Sequence, residues 1–379
     1  MRIAVLMAGM MIAEASPAAG VPARAEVARL ATQAMASSGA KGLAIALVDR
    51  GKVVSVQAFG ERNAKRDPLT VDTVMYGASL TKAVFGYYAM MLVDDGKLKL
   101  DRPIAAMLPK PLPDYGNLEA YGHWGDLAGD ARWRTITPRH LLTHSGGFAN
   151  FSFLEPDGKL KFHFDPGTRY AYSGEGIILL QFAIEQGLGI DVGAEVSRRV
   201  FAPLKMERTS LQWRPDFAAN LADGWDADGK PEPHDERSRV RAAGSMDTTI
   251  GDMARFAAAM TRGWGLKPAT RKAYGSPQLA ITSRQQFPTL IPEAPPGQRW
   301  PGLAAGLGVI SFTGPQGRGL MKGGHDDITA NTMVCIEARQ RCVVILSNDV
   351  RAEAAFPKLV ETLLGPTGFA WQWEYPPRH

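Results

Sequence analysis

The chain has little cysteine, no long apolar run past its first residues and no block of one charge. Each lack excludes something. Only two cysteines, Cys335 and Cys342, occur in 379 residues, too few for a small disulfide-stapled scaffold or a cysteine-rich metal module. After the start of the chain no segment reaches the ~18 uninterrupted apolar positions of a membrane helix, so no integral membrane segment is expected. No run of five Lys or Arg occurs, and the formal net charge is only +5. A nucleic-acid partner is therefore not expected, although the sign suits a slight preference for anionic substrates or surfaces. Internal repeats and low-complexity tracts are missing as well, which excludes solenoids and disordered arrays.

What is present describes an ordinary folded enzyme-sized chain. Apolar residues make up 45% of it, enough to bury the core of one large or two medium domains. The start reads Met1, Arg2, an apolar run over 3–12, then Ala13, Glu14 and Ala15. A positive residue, a short apolar core and an Ala-x-Ala make a secretory signal over 1–15, cleaved between 15 and 20. The mature protein would then be periplasmic or secreted. A buried N-terminal helix is the alternative. The two cysteines lie on apolar, strand-like flanks around residues 337–340. A four-residue hairpin loop there places the sulfurs across the ladder, where they pair in an oxidising compartment. Two buried thiols, or a register shifted by one residue, remain open.

The run YGASLTKAVF at 76–85 holds a Ser-x-x-Lys, Ser79 and Lys82. On a helix, positions i and i+3 share a face, so the Ser79 hydroxyl points at the Lys82 amine. A serine hydroxyl needs an adjacent base, and a lysine in a dry pocket near other cations loses its proton near neutral pH. The helix N-terminus adds partial positive charge and free N–H groups that favour an oxyanion. Taken alone the motif is common, and a serine helix cap followed by a surface lysine is the plainer reading.

Periodicity places helices at about 22–38, 80–94, 137–144, 177–186, 191–204, 248–260 and 352–364, and strands at 42–49, 52–59, 306–312, 319–324 and around the cysteines. Residues 105–135 and 213–240 read as loop, and 265–300 as loop and short helix. Strands at both ends with helices between imply an α/β fold with a mostly antiparallel sheet flanked by helices, whose terminal segments meet in space. The predicted organisation is an α/β domain from 22–104 and 245–370, with a helical and loop insert at 105–244.

At this point the chain resembles the serine β-lactamase and penicillin-binding-protein superfamily, on its class C β-lactamase-like branch, which also holds esterases and D-peptidases. The resemblance rests on TVMYGASLTK at 73–82 with LVDDGKL at 92–98, on ITPRHLLTHSGG at 136–147, on Pro166-Gly167 followed by Tyr170-Ala171-Tyr172-Ser173, and on AAGSMDTT at 242–249 with DMARF at 252–256. It covers nearly all of the mature chain. It implies Ser79 as nucleophile, Lys82 as its proton acceptor or as the group that tunes it, and Tyr172 as the phenol that shuttles the proton to the leaving group. The third motif, Lys-Thr-Gly in the lactamases, would be Lys322-Gly323-Gly324. The backbone N–H of His325 would then pair with that of Ser79 as the oxyanion hole. A register centred on Gly324-His325 also fits some relatives.

Two departures bear on substrate. The second motif, normally Tyr-x-Asn, reads Tyr172-Ser173-Gly174, so the amide that binds an acylamido side chain is missing. The third has Gly323 in place of Thr, so the hydroxyl that binds a substrate carboxylate is missing. Both weaken the case for β-lactam hydrolysis, while an ester needs little more than the nucleophile and the oxyanion hole. His140 and His144, at i and i+4, have the spacing of a metal pair but no evident third ligand, and read as structural. Asp326 and Asp327 read as the polar mouth of the site. The expectation is an exported serine hydrolase, working through an acyl-enzyme on small acyl or peptidoglycan-like substrates, with no metal or cofactor. A D-peptidase or weak β-lactamase, and a binding protein that is acylated without turnover, are the alternatives.

Overall fold

The computed structural model describes residues 20–376, so the leader expected over 1–15 lies outside the described residues. The strands are β1 (Gly42–Asp49), β2 (Lys52–Gly60), β3 (Met75–Tyr76), β4 (Asn117–Leu118), β5 (Gly122–His123), β6 (Gly224–Trp225), β7 (Pro231–Glu232), β8 (Asp247–Thr248), β9 (Leu279–Ala280), β10 (Ala304–Ala305), β11 (Ile310–Gly314), β12 (Gly317–His325), β13 (Ala330–Ile336) and β14 (Arg341–Ser347). Eight of them form one antiparallel sheet in the order β2-β1-β14-β13-β12-β11-β10-β9. The first and last strands thus lie side by side, Ala46 opposite Val344. The run Gly42–Asp49 is apolar on both faces because both faces are covered.

Alternation along β1 decides which helices cover which face. Ala44, Ala46 and Val48 pack with Val84 and Phe85 of α2 (Leu80–Asp94) and Phe256 of α6 (Ile250–Arg262). Leu43, Ile45 and Leu47 pack the other way, against Val27 and Leu30 of α1 (Arg24–Ser38), Phe356 and Leu359 of α8 (Phe356–Leu364), and Trp373 of α9 (Trp371–Glu374). The stretch between the two halves of the sheet carries α3 (Pro138–Leu142), α4 (Gly174–Leu188), α5 (Val192–Val196) and the small ribbons β4–β5 and β6–β7. Helix α7 (Pro268–Gly275) follows α6. The predicted architecture, a large antiparallel sheet flanked by helices, is the observed one. Among the described residues no single helix is long and apolar enough to cross a membrane.

Two segments differ from expectation. The helix expected over 191–204 ends after Val196 and continues as a π turn over Ser197–Phe201. The strand expected from 306 begins only at Ile310, because the chain leaves the sheet to bond elsewhere: the Leu307 N–H donates to Tyr274 O and the Gly308 N–H to Leu142 O. The loop over 337–340 has the expected length, Cys335 faces Cys342 across the ladder, and the two form a disulfide.

Cross-linking residues seven apart removes loop-closure entropy from the unfolded chain, worth about 2 kcal/mol. A Cys335→Ser/Cys342→Ser variant should therefore unfold at lower urea than the oxidised protein, with an unchanged slope. An unshifted midpoint would show that strand register alone holds this hairpin.

Candidate active site

The serine helix is entered through a constrained turn. Strand β3 pairs with β8, and the Gly77 N–H donates to Met246 O at 2.8 Å. Ala78 then adopts φ 47°, in the left-handed region, which costs a residue with a Cβ about 1–2 kcal/mol. Neighbours hold it there: Thr81 Oγ1 donates to Ala78 O at 2.5 Å, and Asn331 Nδ2 to Tyr76 O at 3.0 Å. Ser79 follows as the N-cap residue of α2, yet its hydroxyl caps nothing. Instead Lys82 Nζ lies 2.9 Å from Ser79 Oγ. Lys82 is 1% exposed, so the plainer reading, a cap and a surface lysine, does not hold.

Lys82 Nζ also donates to Ala243 O at 2.5 Å, and no carboxylate pairs with it among the described residues. Burial, and then the nearby Lys322 ammonium, hold its pKa well below the usual lysine range. An amine in that state keeps a lone pair for the hydroxyl proton while one N–H anchors it on Ala243.

Tyr172 stands between two lysines. Its ring centroid is 4.8 Å from Lys82 Nζ and 5.1 Å from Lys322 Nζ, and Lys322 Nζ donates to its hydroxyl at 3.4 Å. Position comes from Ser173, the N-cap residue of α4, whose Oγ accepts from the Gly176 N–H and donates to Ala149 O. From beneath, the His144 ring packs on Tyr172 at 4.4 Å. His144 Nδ1 accepts the Ser173 N–H at 3.2 Å, and burial with the two lysines keeps the ring neutral. Burial raises the Tyr172 pKa above its ordinary value, and its bond to Ser79 only partly offsets this. The resting group is therefore a phenol, able to pass a proton on, and Lys82 is the better resting base.

Lys322 lies on β12, where its Nζ also donates to Gly323 O at 2.6 Å. Burial lowers its pKa to about 8, with Glu374 pulling the other way. Beside it, Gly324 passes the start of α2 so closely that a Cβ there would sit 3.0 Å from Ser79 N and 2.9 Å from Leu80 N. The end of β12 thus runs against the N–H groups at the head of the serine helix. His325 closes the strand opposite Ala330, while its side chain turns outward to Glu353 at 2.9 Å.

These groups face one cavity of about 700 Å³, lined by Ser79, Lys82, Tyr172, Phe287, Lys322 and Gly324 among others. Sequence reasoning missed Asn150, Phe287 and Glu374 on its walls, since none stands in a recognisable motif. Of the acidic pair, Asp326 lines the cavity and Asp327 does not; the Asp326 carboxylate accepts the Ile328 N–H at 3.0 Å and shapes a turn. His140 and His144 do separate work. His140 accepts the Thr137 N–H in the capping box of α3, and His144 supports Tyr172.

A family model described as Beta-lactamase matches residues 27–362. Monacolin J acid methylbutanoyltransferase of Aspergillus terreus is 32% identical over 206 residues, 46% of this chain and 48% of that protein. Lovastatin esterase of Penicillium rubens is 29% identical over 203 residues, 46% of this chain and 50% of that protein. The chain spans about half the length of the curated relatives it matches. Among solved structures, the D-alanine carboxypeptidase AmpC of Burkholderia cenocepacia superposes with TM-score 0.70 at 19% identity, over 90% of this chain and 98% of that one; a likeness at that identity shows the fold.

Gly324→Ala probes the contact between β12 and α2. The added Cβ forces a shift of several tenths of an ångström where a substrate carbonyl would bind; a misplacement of about 1 Å costs ~100-fold in rate, so this smaller one should cost about tenfold. The expected result is a folded protein with kcat/KM on a short-chain nitrophenyl ester reduced by that order. An unchanged rate would place the reacting carbonyl elsewhere.

Proposed function

The chain belongs to the β-lactamase family, and from that premise we propose that it is an exported serine hydrolase, esterase-like in its substrates. Ser79 Oγ attacks the acyl carbonyl as its proton passes to Lys82. The bond to the leaving group breaks, and that group takes its proton through Tyr172, which Lys322 keeps oriented. Water then cleaves the Ser79 ester by the reverse relay. The N–H groups of Ser79 and His325 are the proposed oxyanion donors. The observation that carries this reading is the 2.9 Å approach of a buried lysine, without a carboxylate partner among the described residues, to a serine hydroxyl that caps nothing. Export is supported by the apolar start of the chain and by the Cys335–Cys342 bond, which suits an oxidising compartment.

Esters are favoured over β-lactams by the two motif departures and by the acyl-transfer and esterase names of the relatives. One observation favours a second reading, an amide substrate. Asn150 Oδ1 lies 3.2 Å from the point where a side chain at 174 would begin, and it accepts the Gly174 N–H at 2.9 Å. The Phe151 ring takes the space of a side chain at 174, and the Asn150 carboxamide lies beside it on the cavity wall, available to the acyl side of a peptide-like substrate.

Intact-protein mass spectrometry with a short-chain nitrophenyl ester and, separately, a penicillin distinguishes these readings. Rapid ester turnover with no lasting penicillin adduct is expected, and Ser79→Ala should abolish it. Full activity in that variant would sink the mechanism, and a lasting Ser79-dependent penicillin adduct would mark a penicillin-binding protein.

The pH profile tests Lys82. A depressed pKa means that the base form is filled as pH rises through a value below the ordinary lysine one. kcat/KM should thus climb with pH and already be substantial near neutrality. Lys82→Arg, which stays protonated, should lose ~100-fold or more. A profile that rises only near the ordinary lysine pKa would contradict a neutral resting amine.

A further inference from the structure

Residue 323 has no side chain, and the space beside it is already taken. A Cβ at Gly323 would overlap Glu374 Oε1. Glu374 comes from α9, beyond the end of the family match at 362, and is 3% exposed. It is held with care. Its Oε2 accepts from Gln286 Nε2 at 2.7 Å, the Gln286 N–H donates to Trp373 O at 2.9 Å, and Tyr170 donates to Gln286 Oε1 at 2.7 Å. Trp373, fully buried, anchors the helix through its Nε1 on Ser283. The remaining oxygen, Oε1, accepts no hydrogen bond among the described residues, and Glu374 lines the cavity beside Lys322 and Gly323.

A buried carboxylate with a free oxygen at a cavity wall repels anions and attracts cations. Here it sits where the resembling motif would offer a hydroxyl to a substrate carboxylate. Burial raises its pKa to about 7, with Lys322 and then His325 pulling the other way, so the group is ionised above neutral pH and there offsets the charge of Lys322.

We propose that Glu374 sets the charge selectivity of the leaving-group side of this site, rejecting substrates that carry a carboxylate next to the scissile bond and accepting neutral or cationic leaving groups. This rests on the serine-hydrolase reading above. It leaves Asn150 free to read the acyl side, so the two ends of the substrate are recognised by different chemistry.

Three aryl acetates that differ only in leaving-group charge test it: 3-acetoxybenzoate, phenyl acetate and 3-acetoxyphenyltrimethylammonium. In Glu374→Gln, which retains an acceptor for Gln286, kcat/KM for the anion relative to phenyl acetate should rise at least tenfold, and that for the cation should fall. Because Glu374→Gln leaves the cavity shape alone, a second variant adds the missing hydroxyl: Gly323→Thr/Glu374→Ala should raise the anion ratio further. Calorimetric binding of benzoate and phenyltrimethylammonium to the full-length protein and to Glu374→Gln reads the same preference without catalysis, with an expected fivefold shift toward benzoate. If phenyl acetate is not turned over but binding preference shifts, the hydrolase reading fails and the charge assignment stands. Ratios that stay within twofold in both measurements overturn the assignment.

Discussion

Two lysines are buried around one phenol, and much of the site follows from keeping them there. Lys82 and Lys322 both approach the Tyr172 ring from within the core. Like charges at that range in a dry setting repel strongly, so at least one amine must give up its proton. Lys82, with no carboxylate paired to it among the described residues, is the one. Lys322 keeps more of its charge because Glu374 stands by. The division of labour between base and cation is thus set by which lysine has an acid for a neighbour. His144 belongs to the same arrangement: burial and the two neighbouring lysines favour a neutral ring beneath that phenol.

Such a cluster is costly in isolation and persists because the frame around it is stiff. The left-handed Ala78, the short β3–β8 ladder and the bond from Asn331 to Tyr76 fix the head of α2. The close passage of Gly324 fixes the strand against it. The head of the serine helix is positioned by backbone packed on backbone, which leaves little room for adjustment at 324.

The parts legible in the sequence are those written locally. Ser79 and Lys82 are one helical turn apart, the strand pattern of 42–60 alternates or runs apolar as its burial requires, and the two cysteines bracket a four-residue loop. The antiparallel character of the sheet followed from hairpins, and the contact of the two chain ends from strands at both. What escaped depends on distant partners. Nothing near Glu374 or Phe151 in the chain announces that one fills the space of a missing side chain at 323 and the other at 174. The strand expected from 306 started late because Leu307 and Gly308 bond to residues of α7 and α3, contacts that no periodicity encodes. The helix expected over 191–204 was apolar enough to continue but changed its winding at Ser197.

The adjacency of β1 and β14 has a consequence for how the molecule is made. The sheet is joined near one side by a pairing between residues about 300 positions apart, and the strand bearing Lys322 is among the last to leave the ribosome. A nascent chain already carries Ser79 and Lys82 long before it has anything to hold them together. Assembly must therefore wait for nearly complete synthesis, and closing so long a loop is slow. That delay leaves the Ser79 hydroxyl and the Lys82 amine without their pocket until the strand bearing Lys322 has closed it.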